Sequence, residues 1–235
     1  MARTPLVVAV AQPECVARDV AANARAHAAM VRRAGARLVV FPELSLTGYE
    51  LAAPALAAGD PRLAPLAEAC AETGSVALAG APVEDEDGRS HIAMLAIDGR
   101  GARVAYRKMW LGTAEAERFS PGAEPTVIDV DGWRIGLAIC KDTGVREHAT
   151  ATAERGIDVY AAGVLETASE APLLEKRARR VAMEHGVWMA VASFAGSTGG
   201  GYAPAAGRSA IWSPEGLVIV EAGPDVGAFA RAALR

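Results

Sequence analysis

The sequence holds little from which to build a disulfide, metal or nucleic-acid-binding framework. Among 235 residues there are three cysteines, Cys15, Cys70 and Cys140, far apart and never in CxxC spacing. That pattern argues against a disulfide scaffold and against a zinc site built on thiolates. The four histidines, His27, His91, His148 and His185, form no HExxH pattern. A net charge of -4 gives no electrostatic reason to expect nucleic acid. The cluster EKRARR at 175–180 reads as a solvated helix face. No apolar run approaches the roughly eighteen residues of a spanning helix, and MARTPLVVAVAQP is too short in its apolar part for a signal peptide. The glycines at 199–201 lack the Lys and Ser/Thr of a phosphate loop and read as a flexible loop, with Tyr202 near a pocket. Neither an internal repeat nor a low-complexity tract is visible. The expectation is a soluble, cytoplasmic protein with no metal, no nucleic acid and no membrane contact.

What is present is apolar patterning: 51% of residues are hydrophobic, enough for a substantial core, and no linker divides residues 1–235, so one domain is expected. LVVAVA (6–11) reads as a buried strand. Asp19 opens a segment whose Val20, Ala24, Ala28 and Val31 recur at helical spacing and which closes at Gly35. RLVVF (37–41), a helix marked by Leu63, Leu66, Ala67 and Cys70, and SVALAGA (75–81) continue the alternation of an α/β layered fold. HIAMLAID and ARVAYRK read as a hairpin, and Asp131-Gly132 joins TVIDV to WRIGLAIC as another. A helix is expected at 145–155, then the strand IDVYAAG. A second helix, at 170–185, has Leu173, Leu174, Ala178, Val181 and Ala182 on its inner side. VWMAVASFA, SAIWS, LVIVEAG and GAFARAAL finish as strands. The sum predicts two face-to-face sheets with helices outside.

Three reactive residues fall at strand ends: Glu43 after RLVVFP, Lys108 after VAYR, and Cys140 after IGLAI. Strand ends hold side chains rigidly while loops open above them. A carboxylate, an ammonium and a thiol together form a hydrolytic group. The carboxylate takes the thiol proton, the thiolate attacks a carbonyl or nitrile carbon, and the ammonium steadies the oxyanion. Taken singly, each has an ordinary alternative: Cys140 as an inert buried thiol, Glu43 as a loop carboxylate, Lys108 as a surface lysine.

FPELSLTGYE, YRKMWL with GTAEAERFSPG, and GLAICKDTGVRE resemble the nitrilase superfamily of carbon–nitrogen hydrolases, and the resemblance runs from VAVAQP to GAFARAAL. It implies a four-layer α-β-β-α sandwich, a Glu43-Lys108-Cys140 triad and no organic or metal cofactor. It further implies a second glutamate four residues before the aromatic of the F-x-P-G segment, which counts back from Phe119 to Glu115, against the reading of Glu115 as a solvated loop acid. The backbone N–H of Lys141 matches a second oxyanion donor, while Asp142 and Glu147 match supports of the nucleophile turn. Arg146 and His185 depart from the residues many members carry, proline and asparagine. A Cys-His dyad using His148 or His185 is the alternative pairing.

The resemblance implies hydrolysis of a non-peptide C–N bond in a small-molecule substrate, linear amides first, then N-carbamoyl compounds, then nitriles. Acyl transfer to an amine and a catalytically silent binding protein are the rivals. Tyr49, Trp110, Glu166 and Tyr202 are the candidates for the substrate pocket. A homodimer or higher homo-oligomer is the family expectation.

Overall fold

In the computed structural model, which describes residues 3–198 and 204–235, the period of two in the apolar runs assigns each side chain to a layer. In β1 (Leu6–Ala11), Val8 and Val10 face one core while Ala9 and Ala11 face another. Asp19 caps α1 (Val20–Ala34) by accepting from the Ala22 N–H at 2.9 Å, and Gly35 closes it at φ 52°. β2 (Leu38–Val40), α2 (Ala64–Thr73) and β3 (Val76–Glu84) follow, then the hairpin of β4 (Ser90–Asp98) and β5 (Gly101–Arg107). A short helix, α3 (Thr113–Ala116), precedes β6 (Val127–Val130) and β7 (Trp133–Ile139). Asp131 and Gly132 between these strands both take positive φ, 54° and 80°, as a tight two-residue hairpin turn requires. Next come α4 (Arg146–Ala153), β8 (Val159–Val164), α5 (Ala171–His185) and β9 (Trp188–Ser193). A ribbon of β10 (Ala195–Gly196) with β11 (Ala205–Ala206), then β12 (Ala210–Trp212), β13 (Val218–Glu221) and β14 (Phe229–Leu234), complete the fold.

Two six-stranded sheets result, ordered β14-β1-β2-β3-β4-β5 and β13-β12-β9-β8-β7-β6. Val8, Val10, Leu38 and Val40 of the first sheet meet Ile135, Leu137, Ile139 and Val159 of the second in one buried core. The opposite faces pack outward, Val39 and Ala77 against Val31 of α1 and Leu66 of α2, and Tyr160 and Ala162 against Ala149 of α4 and Ala178 of α5. The layers are therefore helix, sheet, sheet, helix, as expected. Each sheet has three parallel central strands, β1-β2-β3 and β7-β8-β9, followed by two antiparallel ones. The topology thus repeats where the sequence shows no repeat. Layer architecture asks only for apolar alternation, which many different residues satisfy.

The structure departs from expectation at three places. Leu173, placed on the inner side of its helix, is 47% exposed, because the adjacent Leu174 takes the inward position and neighbours on a helix point about 100° apart. The turn of α3 lies inside what reads as loop, and the β10–β11 ribbon was not anticipated. Tyr202 and the glycines at 199–201 lie outside the described residues.

Candidate active site

Pro42 ends β2 and the chain turns sharply, with Leu44 at φ 51° and the Ser45 N–H donating to the Pro42 carbonyl. This turn is pressed between the two sheets over two glycines. A Cβ on Gly80 of β3 would lie 2.1 Å from Leu44 N, and one on Gly163 of β8 would lie 2.6 Å from Phe41 O and 3.0 Å from Glu43 N. Backbone this close is possible only without side chains at both places. The result is a Glu43 that is 1% exposed and rigidly carried.

Lys108 follows β5, its backbone held by Ile92 O on one side and the Gly122 N–H on the other. Its ammonium donates to Glu43 Oε1 at 2.6 Å and to Glu115 Oε1 at 2.7 Å, all three groups being buried. Glu115 is aimed by α3: its Oε2 accepts the Gly112 N–H at 2.6 Å while Oε1 also accepts from the Tyr49 hydroxyl at 2.7 Å. One cation thus serves two carboxylates, and the two do not titrate alike. Burial raises the Glu43 carboxyl to about 7, against the pull of Lys108. Burial also works to raise Glu115, but the Lys108 charge and hydrogen bonds from Lys108, Gly112 and Tyr49 outweigh it and hold Glu115 below its ordinary value. Lys108 stays charged, since the carboxylates overcome the burial that would depress it. The Cys140 thiol, as a hydrogen-bond donor to the Glu43 carboxyl, works to lower it, and Glu43 Oε2 has no other hydrogen-bond partner.

Cys140 begins a 3₁₀ turn directly after β7 at φ 42°, in the left-handed region that a side chain seldom occupies. Asp142 fastens that turn. Its Oδ2 accepts from the Ile139 N–H at 2.9 Å and the Tyr106 hydroxyl at 2.8 Å, and its Oδ1 from the Trp110 N–H at 2.9 Å. Burial lifts Asp142 to about 6 in spite of these bonds. The Cys140 Sγ points to the Leu165 carbonyl at 3.6 Å, and burial with the nearby Glu43 charge pushes the thiol up, so it is neutral at rest.

A pocket of about 310 Å³ opens on this group, and Glu43, Lys108, Glu115 and Cys140 all line it. Tyr49, Lys141 and Glu166 line it as well. The Lys141 side chain is exposed and donates to the Leu111 carbonyl at 2.6 Å. Glu166, 5% exposed, meets Arg177 Nη1 at 3.4 Å, and burial raises its carboxyl to about 7. Trp110 does not line the pocket: its ring stands edge-on to His148, 5.6 Å between centroids, behind the Asp142 turn. Tyr202 is not among the described residues. Glu147, expected to support the nucleophile turn, is exposed in the first turn of α4 and makes no hydrogen bond to that turn.

The histidines lie elsewhere. His148 is buried among the Tyr106 and Tyr160 hydroxyls at 2.9 and 2.7 Å and Thr152, and burial lowers it to about 4. Among the described residues its ring nitrogens are engaged by these hydroxyls and make no hydrogen bond to Cys140. His185 ends α5, outside the pocket lining. Glu170, Leu173 and Arg177 line the pocket unforeseen. Their i, i+3, i+7 spacing on one helix is the signal that could have found them. No cluster of three or more His, Cys, Asp or Glu side chains fit to hold a metal occurs among the described residues.

Comparison with known proteins matches this geometry to a family. The family model described as carbon-nitrogen hydrolase matches residues 7–228. A hydrolase of the pqqF 5' region in Pseudomonas protegens is 31% identical over 233 residues, covering 92% of this chain and 79% of its own. An (R)-stereoselective amidase of Pseudomonas sp. is 29% identical over 192 residues, covering 80% and 69%. The structure of Saccharomyces cerevisiae Nit3, a member of branch 10 of the nitrilase superfamily, superposes with a TM-score of 0.87 at 23% identity, covering 98% of this chain and 90% of that one.

Proposed function

The chain belongs to the carbon–nitrogen hydrolase family, and from that premise we propose that it hydrolyses small linear amides to acid and ammonia or amine through a thioester on Cys140. The observation that carries this reading is the buried Lys108 ammonium, 2.6 and 2.7 Å from two carboxylates, in the pocket that also holds a thiol at a strained strand end.

The geometry supports the following steps. Glu43 removes the Cys140 proton as Sγ attacks the amide carbon, so the thiolate forms only when it is consumed. The oxyanion gathers the Lys108 ammonium and the backbone N–H of Lys141. Protonated Glu43 passes its proton to the departing nitrogen, the C–N bond breaks and the thioester remains. A water deprotonated by Glu43 attacks the thioester, the acid leaves, and the Cys140 thiol is restored. Glu115 keeps Lys108 charged and fixed. It is a positioning residue. The name of the Pseudomonas sp. relative, an amidase, favours amides over N-carbamoyl compounds and nitriles.

The test is ammonia release from a panel of short amides, carbamoyl compounds and nitriles, with wild type and Cys140→Ala in parallel. Turnover of amides that vanishes in the variant is expected. Turnover that survives in Cys140→Ala refutes the thiol mechanism. Silence of intact protein across the panel turns the reading to binding on the same fold.

A homo-oligomer belongs to the same proposal. Val218 and Ile219 stand exposed on the edge strand β13, with exposed Leu217 just before it and exposed Met183 of α5 against the neighbouring Gly216, and exposed apolar edges of this kind favour burial against another copy. Light scattering on the eluting protein measures the assembly directly, and a monomer at micromolar concentration refutes it.

A further inference from the structure

We propose that Glu166 is the recognition group for a cation on the substrate, so that this pocket selects amides carrying an ammonium group beside the scissile carbonyl. The inference rests on the reading of Cys140 as nucleophile, because it places the substrate's acyl group against Sγ.

Position supports it first. The Leu165 carbonyl lies 3.6 Å from Sγ, and Glu166 is the next residue, following β8 and lining the same pocket. Glu166 and Cys140 face the same pocket, and the Glu166 charge acts on the thiol, so an acyl substituent beside the attacked carbon enters the space that both side chains line. Partnering supports it second. The residue is 5% exposed, yet its carboxylate makes one long contact, Oε1 to Arg177 Nη1 at 3.4 Å, and Oε2 has no hydrogen bond among the described residues. Glu43 also leaves Oε2 without a hydrogen bond beyond that of the thiol, but it and Glu115 each have the Lys108 ammonium within 2.7 Å, a close cation that Glu166 lacks. A buried carboxylate with one long contact costs stability, and the hydrolytic steps do not use it.

The sign of the ligand follows from what is already engaged. Of the two cations at the pocket mouth, Lys141 donates to the Leu111 carbonyl at 2.6 Å and Arg177 faces Glu166 with Glu170 nearby. Lys141 holds its charge at the exposed rim, so the unspent group that is buried is an acceptor, Glu166 Oε2. An ammonium donating to Oε2 supplies the charge-assisted hydrogen bond that burial makes strong. A substrate carboxylate there would instead meet Glu166 and Glu170 as like charges.

The experiment compares 2-aminopropanamide with 2-methylpropanamide, in which a methyl group replaces the ammonium at nearly the same volume. In wild type at pH 7, kcat/KM for the amino amide is expected to exceed that for its isostere by about tenfold or more, as a buried charge-assisted bond allows. Glu166→Gln lowers this ratio about tenfold, and Glu166→Asp restores part of it. A wild type that treats the two alike or prefers the neutral amide overturns the proposal, as does an unchanged ratio in a Glu166→Gln protein that melts like wild type. Should neither amide turn over, calorimetric titration of Cys140→Ala with both compounds decides. Tighter binding of the amino amide supports the cation subsite, and equal binding refutes it. Loss of turnover in Cys140→Ala reports separately on the nucleophile, so the two readings fail by different observations.

Discussion

Adding a single methyl group at Gly80 should disable the site without touching a functional side chain. The Cβ of Gly80→Ala would stand 2.1 Å from Leu44 N, 2.7 Å from Pro42 O and 2.8 Å from the Glu43 carbonyl carbon. All three are backbone atoms of the turn that carries Glu43, and none can rotate away. Ordinary contact begins near 3.4 Å, so the turn must retreat by more than an ångström. A misplacement of about 1 Å costs on the order of 100-fold in rate when the group must meet a reacting atom. Overpacking of this kind also costs about 1–3 kcal/mol, which for a chain of this size lowers Tm by roughly 2–12 °C. Gly136→Ala is the control. Its Cβ would meet Thr152 Cγ2 at 2.5 Å and Ile157 Cδ1 at 2.9 Å, side-chain atoms on the helical side of β7. It should lower Tm in the same range while leaving kcat/KM within a few-fold of wild type. Steady-state ammonia release and thermal melting of both variants give the comparison. Equal activity in the two variants would refute the claim that this glycine exists to let the Glu43 turn approach.

Three further outcomes are expected. Because burial raises Glu43 to about 7, its basic form is present above that pH and lost below it. With a neutral amide, kcat/KM should fall as pH drops through about 7, and a flat profile between pH 5.5 and 8 would contradict Glu43 as base. Lys108→Met leaves Glu43 and Glu115 buried together without their cation, so activity should vanish and stability should fall by about 3–5 kcal/mol, read by denaturant unfolding. His148→Gln should lower Tm but leave alkylation of Cys140 by iodoacetamide near the wild-type rate. A loss of alkylation would revive a Cys-His pairing.

Several parts of the fold were legible because they are local. Asp19 and Gly35 bracket α1 by capping chemistry that involves only neighbouring backbone. Asp131-Gly132 marks its hairpin because two successive positive φ angles exclude most residues. Glu43, Lys108 and Cys140 stood out as polar residues ending apolar runs. Other parts were not legible, since they depend on partners distant in sequence. Leu173 and Leu174 look alike in sequence, and only the packing of α5 on its sheet turns one inward and the other to the pocket. Trp110 reads as a pocket aromatic, yet its ring goes to His148 because Asp142, 32 residues away, holds its backbone N–H.

By itself, the sequence determined the α/β alternation, the buried apolar strands, and which reactive residues end strands, since these follow from periodicity and local backbone preference. Tertiary structure alone decided that one ammonium would serve two carboxylates, that Gly80 and Gly163 from opposite sheets would admit the Glu43 turn, and that Glu166 would be buried with an oxygen to spare. Each of these is a distance between residues brought together by the packing of one sheet on another. Such distances are properties of the assembled layers, and no pattern along a single strand contains them.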